Sequence, residues 1–98
     1  MGADTTQVAL IKPQNMTIYE ALELKALFFD TLVQFQKIEV DLSQVAEIDC
    51  SGLQLMVSFK NDALKQKKSL VFTAHSREVI KLLELFNMTQ FFGDPVVL

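Results

Sequence analysis

Residues 47–55 change from a strand pattern to a helix pattern, and this change limits the folds that are open to the chain. Residues 37–42, just upstream, alternate polar and apolar side chains, which is typical of a strand with one buried face. From Leu53 onward the apolar residues recur at helical spacing. The chain therefore passes from a strand into a helix within a few residues, as chains do in α/β folds.

The four residues at this junction, Asp49, Cys50, Ser51 and Gly52, are suited to the start of a helix. The short side chains of Asp and Ser accept hydrogen bonds from free backbone N–H groups there, and Gly leaves room for close backbone approach. A hydroxyl at the positive end of a helix is also a favourable place for a phosphate or for a partner's anion. An ordinary helix cap uses the same residue types, so these four residues alone leave both interpretations open.

The remaining apolar patterns predict a fold in which strands and helices alternate. Strands are predicted at residues 7–12, 16–18, 37–42, 69–73 and 96–98. Helices are predicted at residues 21–35, from residue 53 to the lysines at 65–68, and after residue 76. A Thr-x-x-Glu capping box formed by Thr17 and Glu20 precedes the first helix. This order implies an α/β fold with a mixed β-sheet of four to five strands and about three main helices packed on it.

Each predicted helix carries an apolar stripe that we expect to face the core. The stripes are Ala21, Leu24, Phe28, Leu32 and Phe35; Leu53, Met56, Val57 and Leu64; and Val79, Leu82, Leu83 and Phe86. The third stripe is the clearest, and it predicts that Leu82 and Phe86 are buried. Ser76 is predicted to cap this helix and Asn87 to end it.

The bulk composition indicates one globular domain and argues against several classes of protein. The 98 residues, half of them hydrophobic, suffice for a single domain at residues 1–98. A net charge of −3 argues against direct binding of nucleic acid, whose phosphates need basic partners. One cysteine and one histidine cannot form an intrachain disulfide or a Cys/His metal site. Because neither a signal peptide nor an apolar run of ~20 residues is seen, we expect no membrane insertion and a cytoplasmic location.

Few residues offer the chemistry of an enzyme. Cys50 at a helix start and His75 in a later loop could approach each other, but a third group that would orient them is missing. The carboxylates Asp41, Glu47 and Asp49 lack the spacing of an acid/base pair, and the chain has no glycine-rich phosphate loop. We therefore expect no catalysis, no metal and no cofactor, and any nucleotide would be held by a partner.

The junction at residues 48–55 resembles the STAS domain family, which includes the anti-sigma-factor antagonists of bacteria. The mark of that family is an Asp-Ser/Thr-Ser/Ala-Gly-Leu junction, and this chain reads Asp-Cys-Ser-Gly-Leu. Further segments resemble the family in the same order, at residues 16–21, 38–43, 68–72 and 79–87. Residues 92–98 are similar to the ending of short stand-alone members found with chemotaxis genes.

The resemblance implies a switch protein and not an enzyme. In phosphorylated members of the family the acceptor is the hydroxyl residue directly before the Gly, which is Ser51 here, and the family's Asp corresponds to Asp49. The implied partner is an anti-sigma-factor-like serine kinase or a related signalling protein, which supplies ATP. The implied partner-binding residues are Asp49, Cys50, Ser51, Gly52 and Leu53. Cys50 departs from the family, where Ser or Thr is usual.

A second interpretation of the same resemblance is a module that binds its partner constitutively. Such a module would be an accessory subunit of a chemotaxis signalling array or of a transporter. In that case Ser51 would act only as a helix cap. A small Cys-dependent enzyme built on Cys50 and His75 is the third and most distant alternative.

Overall fold

Strands and helices alternate along the chain in the computed structural model, which describes residues 7–88. The strands are β1 (Val8–Ile11), β2 (Asn15–Met16), β3 (Lys37–Asp41), β4 (Glu47–Ile48) and β5 (Ser69–Thr73). The helices are α1 (Ala21–Gln34), α2 (Cys50–Lys65) and α3 (Arg77–Leu85). Within this part of the chain the predicted order of elements is confirmed except for β4, which the sequence patterns did not predict. The predicted edge strand at residues 96–98 lies outside the described residues.

The five described strands form two separate parallel sheets. The larger sheet has the order β1-β3-β5, with Val8 opposite Lys37 and Lys37 opposite Ser69. The smaller sheet pairs β2 with β4. The α/β class with five strands and three helices is thus confirmed, and every described ladder is parallel, although the sequence indicated one mixed sheet. Parallel pairing follows from the connections, because paired strands here are joined by crossovers that contain a helix.

The core lies between the larger sheet and helices α1 and α2. Ile38 and Val40 of β3 are buried, as the period of two predicts. Phe28 of α1 is also buried, and its ring stacks on Phe59 of α2 with the centroids 4.4 Å apart and the planes 13° from parallel. Such a pair adds roughly 0.5–1.5 kcal/mol beyond the area that it buries. The two helices are therefore fixed to each other as well as to the sheet.

The buried face of α2 differs from the predicted stripe at its C-terminal end. Leu53 and Met56 are buried as predicted, but Leu64 is exposed, and the face continues through Phe59 and Ala63. Consecutive helical residues point about 100° apart, and because Ala63 lies in the buried face, Leu64 points past the edge of that face. The prediction that Leu64 faces the core is therefore wrong, because the phase of the helix places the smaller Ala63 there.

Helix α3 packs through Val79 and Leu83, and the prediction that Phe86 belongs to the core is wrong. Val79 and Leu83 are buried, Leu82 is partly buried, and Phe86 is exposed. The helix ends at Leu85, so Phe86 occupies the C-cap and no longer follows the helical period. Asn87 has a φ of 54°, the left-handed conformation that ends many helices, which confirms its predicted role.

Ser76→Ala should lower the free energy of unfolding by about 1 kcal/mol. The Ser76 side chain accepts a hydrogen bond from the Val79 N–H at 3.3 Å, so the substitution leaves a helix donor without its cap. Urea unfolding should show a lower midpoint with an unchanged slope. Ser58→Ala, at an exposed position within α2, is the matched control and should change stability by less than about 0.5 kcal/mol. Equal midpoints for the two variants would contradict the capping role.

Candidate functional site

Asp49 is the N-cap of α2 and organises the junction between β4 and that helix. Its backbone is extended, and its Oδ1 accepts hydrogen bonds from the N–H groups of Ser51 at 2.9 Å and Gly52 at 3.2 Å. The cap that the sequence predicts for this position is confirmed. Ser51 is the second residue of the helix and not its cap, so the interpretation of Ser51 as a mere helix cap is wrong.

The second carboxylate oxygen of Asp49 binds a segment that is distant in the sequence. Asp49 Oδ2 accepts a hydrogen bond from the Ile18 N–H at 3.0 Å, and the Asp49 N–H donates to the carbonyl of Met16 at 3.3 Å. One side chain therefore joins the start of α2 to the turn before α1. The sequence pattern contains no signal of this contact, because no local spacing relates residues 31 positions apart.

Gly52 lies directly against β2, which explains why the junction contains a glycine. A Cβ atom placed on Gly52 would lie 2.1 Å from the Met16 carbonyl oxygen and 2.9 Å from the Met16 Cβ. The same atom would lie 3.0 Å from a side-chain carbon of Ile48. The close approach predicted for Gly52 is confirmed, and the approaching group is the backbone of the smaller sheet.

The turn at residues 17–20 closes on itself beside the junction. Glu20 Oε1 accepts hydrogen bonds from the Thr17 N–H at 2.9 Å and the Thr17 hydroxyl at 2.6 Å. The Thr17 hydroxyl oxygen accepts from the Tyr19 N–H, whereas the Glu20 N–H donates to the Thr17 backbone carbonyl and not to the hydroxyl, as a complete capping box requires. The predicted box is therefore formed in one direction only, and it precedes α1, which begins at Ala21.

The Glu20 carboxylate adds negative charge to this side of the site. Hydrogen bonds from the Thr17 side chain, and then from its backbone, lower the pKa of the Glu20 carboxyl below its ordinary value. The negative charge of Asp49 acts in the opposite direction and raises this pKa, but the hydrogen bonds dominate. Glu20 is consequently ionised at neutral pH, beside the cap of α2.

The predicted partner-binding residues divide into a surface group and a buried group. Cys50 is exposed, and Ser51 and Asp49 are partly exposed. Gly52 and Leu53 are buried, so they pack beneath the exposed residues of the junction. Their direct contact with a partner stays a prediction.

Two features beside the junction have no counterpart in the sequence prediction. Ile18 and Tyr19, on the turn held by Asp49, are large exposed side chains. A groove of about 570 Å³ runs along α2 from Cys50 to Lys65 and is also lined by Phe86 and Met88. Both features depend on contacts between distant segments, which single-sequence patterns do not report.

The residues considered for catalysis or metal binding lie in different environments. Cys50 is at the surface, whereas His75 is buried in the loop between β5 and α3. Within residues 7–88, no three His, Cys, Asp or Glu side chains come together in a way that could hold a metal ion. In the same part of the chain, no helix has the length and apolar character needed to cross a membrane.

Comparisons with known proteins agree with this architecture. A sequence model of the family described as "Mlab, STAS domain" matches residues 14–97. The candidate anti-sigma factor antagonist tm1081 of Thermotoga maritima superposes with a TM-score of 0.80 at 22% identity, over 100% of this chain and 85% of that one. The anti-sigma factor antagonist SpoIIAA in its unphosphorylated form gives a TM-score of 0.73 at 12% identity, over 92% of this chain and 81% of that one. No curated protein sequence matches significantly. Since the family match covers most of its residues, the chain belongs to the STAS domain family.

Proposed function

We propose that this chain is a non-enzymatic regulatory module, similar to an anti-sigma-factor antagonist, that changes partners when a serine kinase phosphorylates Ser51. The observation that carries the proposal is the position of Ser51, a partly exposed hydroxyl residue in the first turn of α2, two residues after the Asp49 cap. The structure of SpoIIAA is of its unphosphorylated form, which supports a phosphorylation switch in a protein of this fold.

The junction can accept a phosphate without losing the helix. Asp49 holds the N–H groups of Ser51 and Gly52, so the start of α2 does not depend on the Ser51 hydroxyl. A phosphate on that hydroxyl would lie at the positive end of a helix of 16 residues. Modification would therefore change the charge of the surface and leave the fold in place.

The proposed partner surface combines the junction with the turn that Asp49 holds. Asp49, Cys50 and Ser51 supply polar groups, and Ile18 and Tyr19 supply exposed apolar area. Apolar and aromatic side chains surrounded by polar groups are typical of the centre of a protein interface. The proposed partner is an anti-sigma-factor-like serine kinase or a related cytoplasmic signalling protein, which holds the ATP.

Incubation with the candidate kinase and ATP should add one phosphate, and that phosphate should map to Ser51. Intact-mass measurement followed by peptide mapping tests this prediction. Ser51→Ala should abolish the modification, whereas Cys50→Ser, a matched change at the adjacent exposed residue, should leave Ser51 as the acceptor. A phosphate on Ser43, Ser58 or Ser76 would contradict the assignment.

A further inference from the structure

Helix α1 carries a second row of apolar side chains that is largely exposed. Leu22, Phe29 and Val33 are 81%, 57% and 62% exposed, and Ala26 between them is also exposed. Tyr19, 91% exposed, continues the row in the turn before the helix. The residues that α1 buries are Phe28 and Leu32, so the outer row is additional to the face that the fold needs.

The spacing of this outer row indicates which kind of structural element would pack on it. Its members follow one another at steps of three, four, three and four residues, which is the a/d repeat of a two-stranded coiled coil. A helix that packs on a sheet has a wider stripe, as the core face of α1 does. The outer row therefore fits a second helix that lies along α1 at a crossing angle of about 20°.

We propose that this second helix is α1 of another copy of the chain, arranged parallel to the first around a two-fold axis. With Leu22 and Phe29 at d positions, Lys25 is at g and Asp30 at the following e. In a parallel pair these two positions face each other across the seam. Lys25 of each copy would thus meet Asp30 of the other, which forms two symmetric ion pairs.

Charge also decides against the antiparallel arrangement. When two such helices run in opposite directions, e positions face e positions, which brings Glu23 of one copy to Asp30 of the other. Like charges at these positions repel. Ala26 lies at the central a position, where a small side chain allows the two helices to approach closely. The parallel pair satisfies both the apolar row and its flanking charges.

Charge reversal provides a test, with association measured by sedimentation equilibrium. Lys25→Glu and Asp30→Lys, taken separately, place like charges across both pairs and should each weaken self-association roughly three- to thirty-fold. An equimolar mixture of the two variants should recover wild-type association. In the mixed dimer the introduced glutamate faces the introduced lysine, and the remaining native Lys25 faces the remaining native Asp30. Both residues lie on the exposed surface, and circular dichroism confirms that each variant is folded.

Cross-linking gives an independent measurement of the arrangement. In a Cys50→Ala background, Val33→Cys should form a disulfide-linked dimer on mild oxidation, because parallel helices place residue 33 opposite itself. Gln34→Cys, exposed but outside the row, is the matched control and should not cross-link. Phe29→Glu should abolish association.

Three results would overturn the proposal. The first is a wild-type chain that stays monomeric at the highest attainable concentration. The second is tighter association of Asp30→Lys, which would indicate antiparallel helices because Glu23 would then face a lysine. The third is unchanged association of Phe29→Glu, which would place the interface elsewhere. None of these results depends on whether Ser51 is phosphorylated.

Discussion

Phosphorylation of Ser51 is expected to weaken binding to the partner by about thirty-fold to several-thousand-fold while the fold stays intact. The phosphate brings about −1.5 to −2 charges to the first turn of α2. The helix dipole favours this charge by roughly 0.3–1 kcal/mol, and up to about 2 kcal/mol in favourable geometry. The Asp49 carboxylate, two residues away, opposes it. Because these terms nearly cancel, the stability of the domain should change little.

The effect on binding is larger because an interface removes water from the phosphate. A protein that covers Asp49, Cys50 and Ser51 must either supply an opposite charge to the phosphate or bury the phosphate without one. Leaving one charge buried and unpaired costs about 2–5 kcal/mol. At about 1.4 kcal/mol for each factor of ten, this cost gives the expected loss of affinity.

Titration calorimetry with the purified partner measures this difference directly. The phosphorylated protein is the decisive sample, since Ser51→Asp carries less charge and fewer oxygens. Ser51→Ala should bind as the wild type does, and Asn61→Asp, an exposed change on α2 away from the junction, controls for net charge. Equal affinities of the phosphorylated and unmodified proteins would leave the constitutive binding module as the better description.

Gly52→Ala is expected to destabilise the fold by about 3 kcal/mol or more, at or above the upper end of ordinary overpacking. On helix propensity alone the change should stabilise, by roughly 1 kcal/mol. The new Cβ, however, would lie 2.1 Å from the Met16 carbonyl oxygen, where ordinary carbon–oxygen contacts begin near about 3.3 Å. Relief requires the backbone of β2 or the start of α2 to move, because the obstructing atom belongs to the main chain.

Chemical denaturation compares this variant with Ser51→Ala, which makes no such contact and should stay within about 0.5 kcal/mol of the wild type. A Gly52→Ala protein as stable as the wild type would mean that α2 does not contact β2 as described. The same displacement would stretch the hydrogen bond from Ile18 to Asp49, so the variant should also bind its partner poorly.

Local patterns predicted every described element of this fold except β4, and the limits of these patterns explain the errors. The period of two placed β3, a short apolar run placed β5, and Asp49, Ser76 and Asn87 mark helix ends where the sequence predicts them. Leu64 was misplaced because the edge of an apolar stripe is uncertain by one residue, and one residue is about 100° of rotation. Phe86 was misplaced because α3 ends at Leu85 and the helical period ends with it.

Only those features of the site that depend on residues close together in the sequence were predicted. The Asp49 cap and the close approach at Gly52 follow from residue types near a helix start. The pairing of β2 with β4 and the bond from Ile18 to Asp49 join distant segments, and no single-sequence period encodes such pairs. The proposed role of Ser51 rests on family resemblance, because residue chemistry alone did not separate a switch from an ordinary helix start.

The parallel sheets also determine how this chain can reach its native state. Every described ladder joins residues about thirty positions apart, so the sheet cannot grow from a local hairpin as a zipper does. A long loop must close, at a cost in chain entropy, before its strand pair contributes stabilising contacts. This order slows folding relative to a helical bundle of the same length. During synthesis the central strand β3 has only β1 as its neighbour until residue 73 has left the ribosome. Until then one edge of β3 stays open to pairing with other chains. Early formation of helix α2 would shorten the chain segment between β3 and β5 and so help β5 to reach that edge.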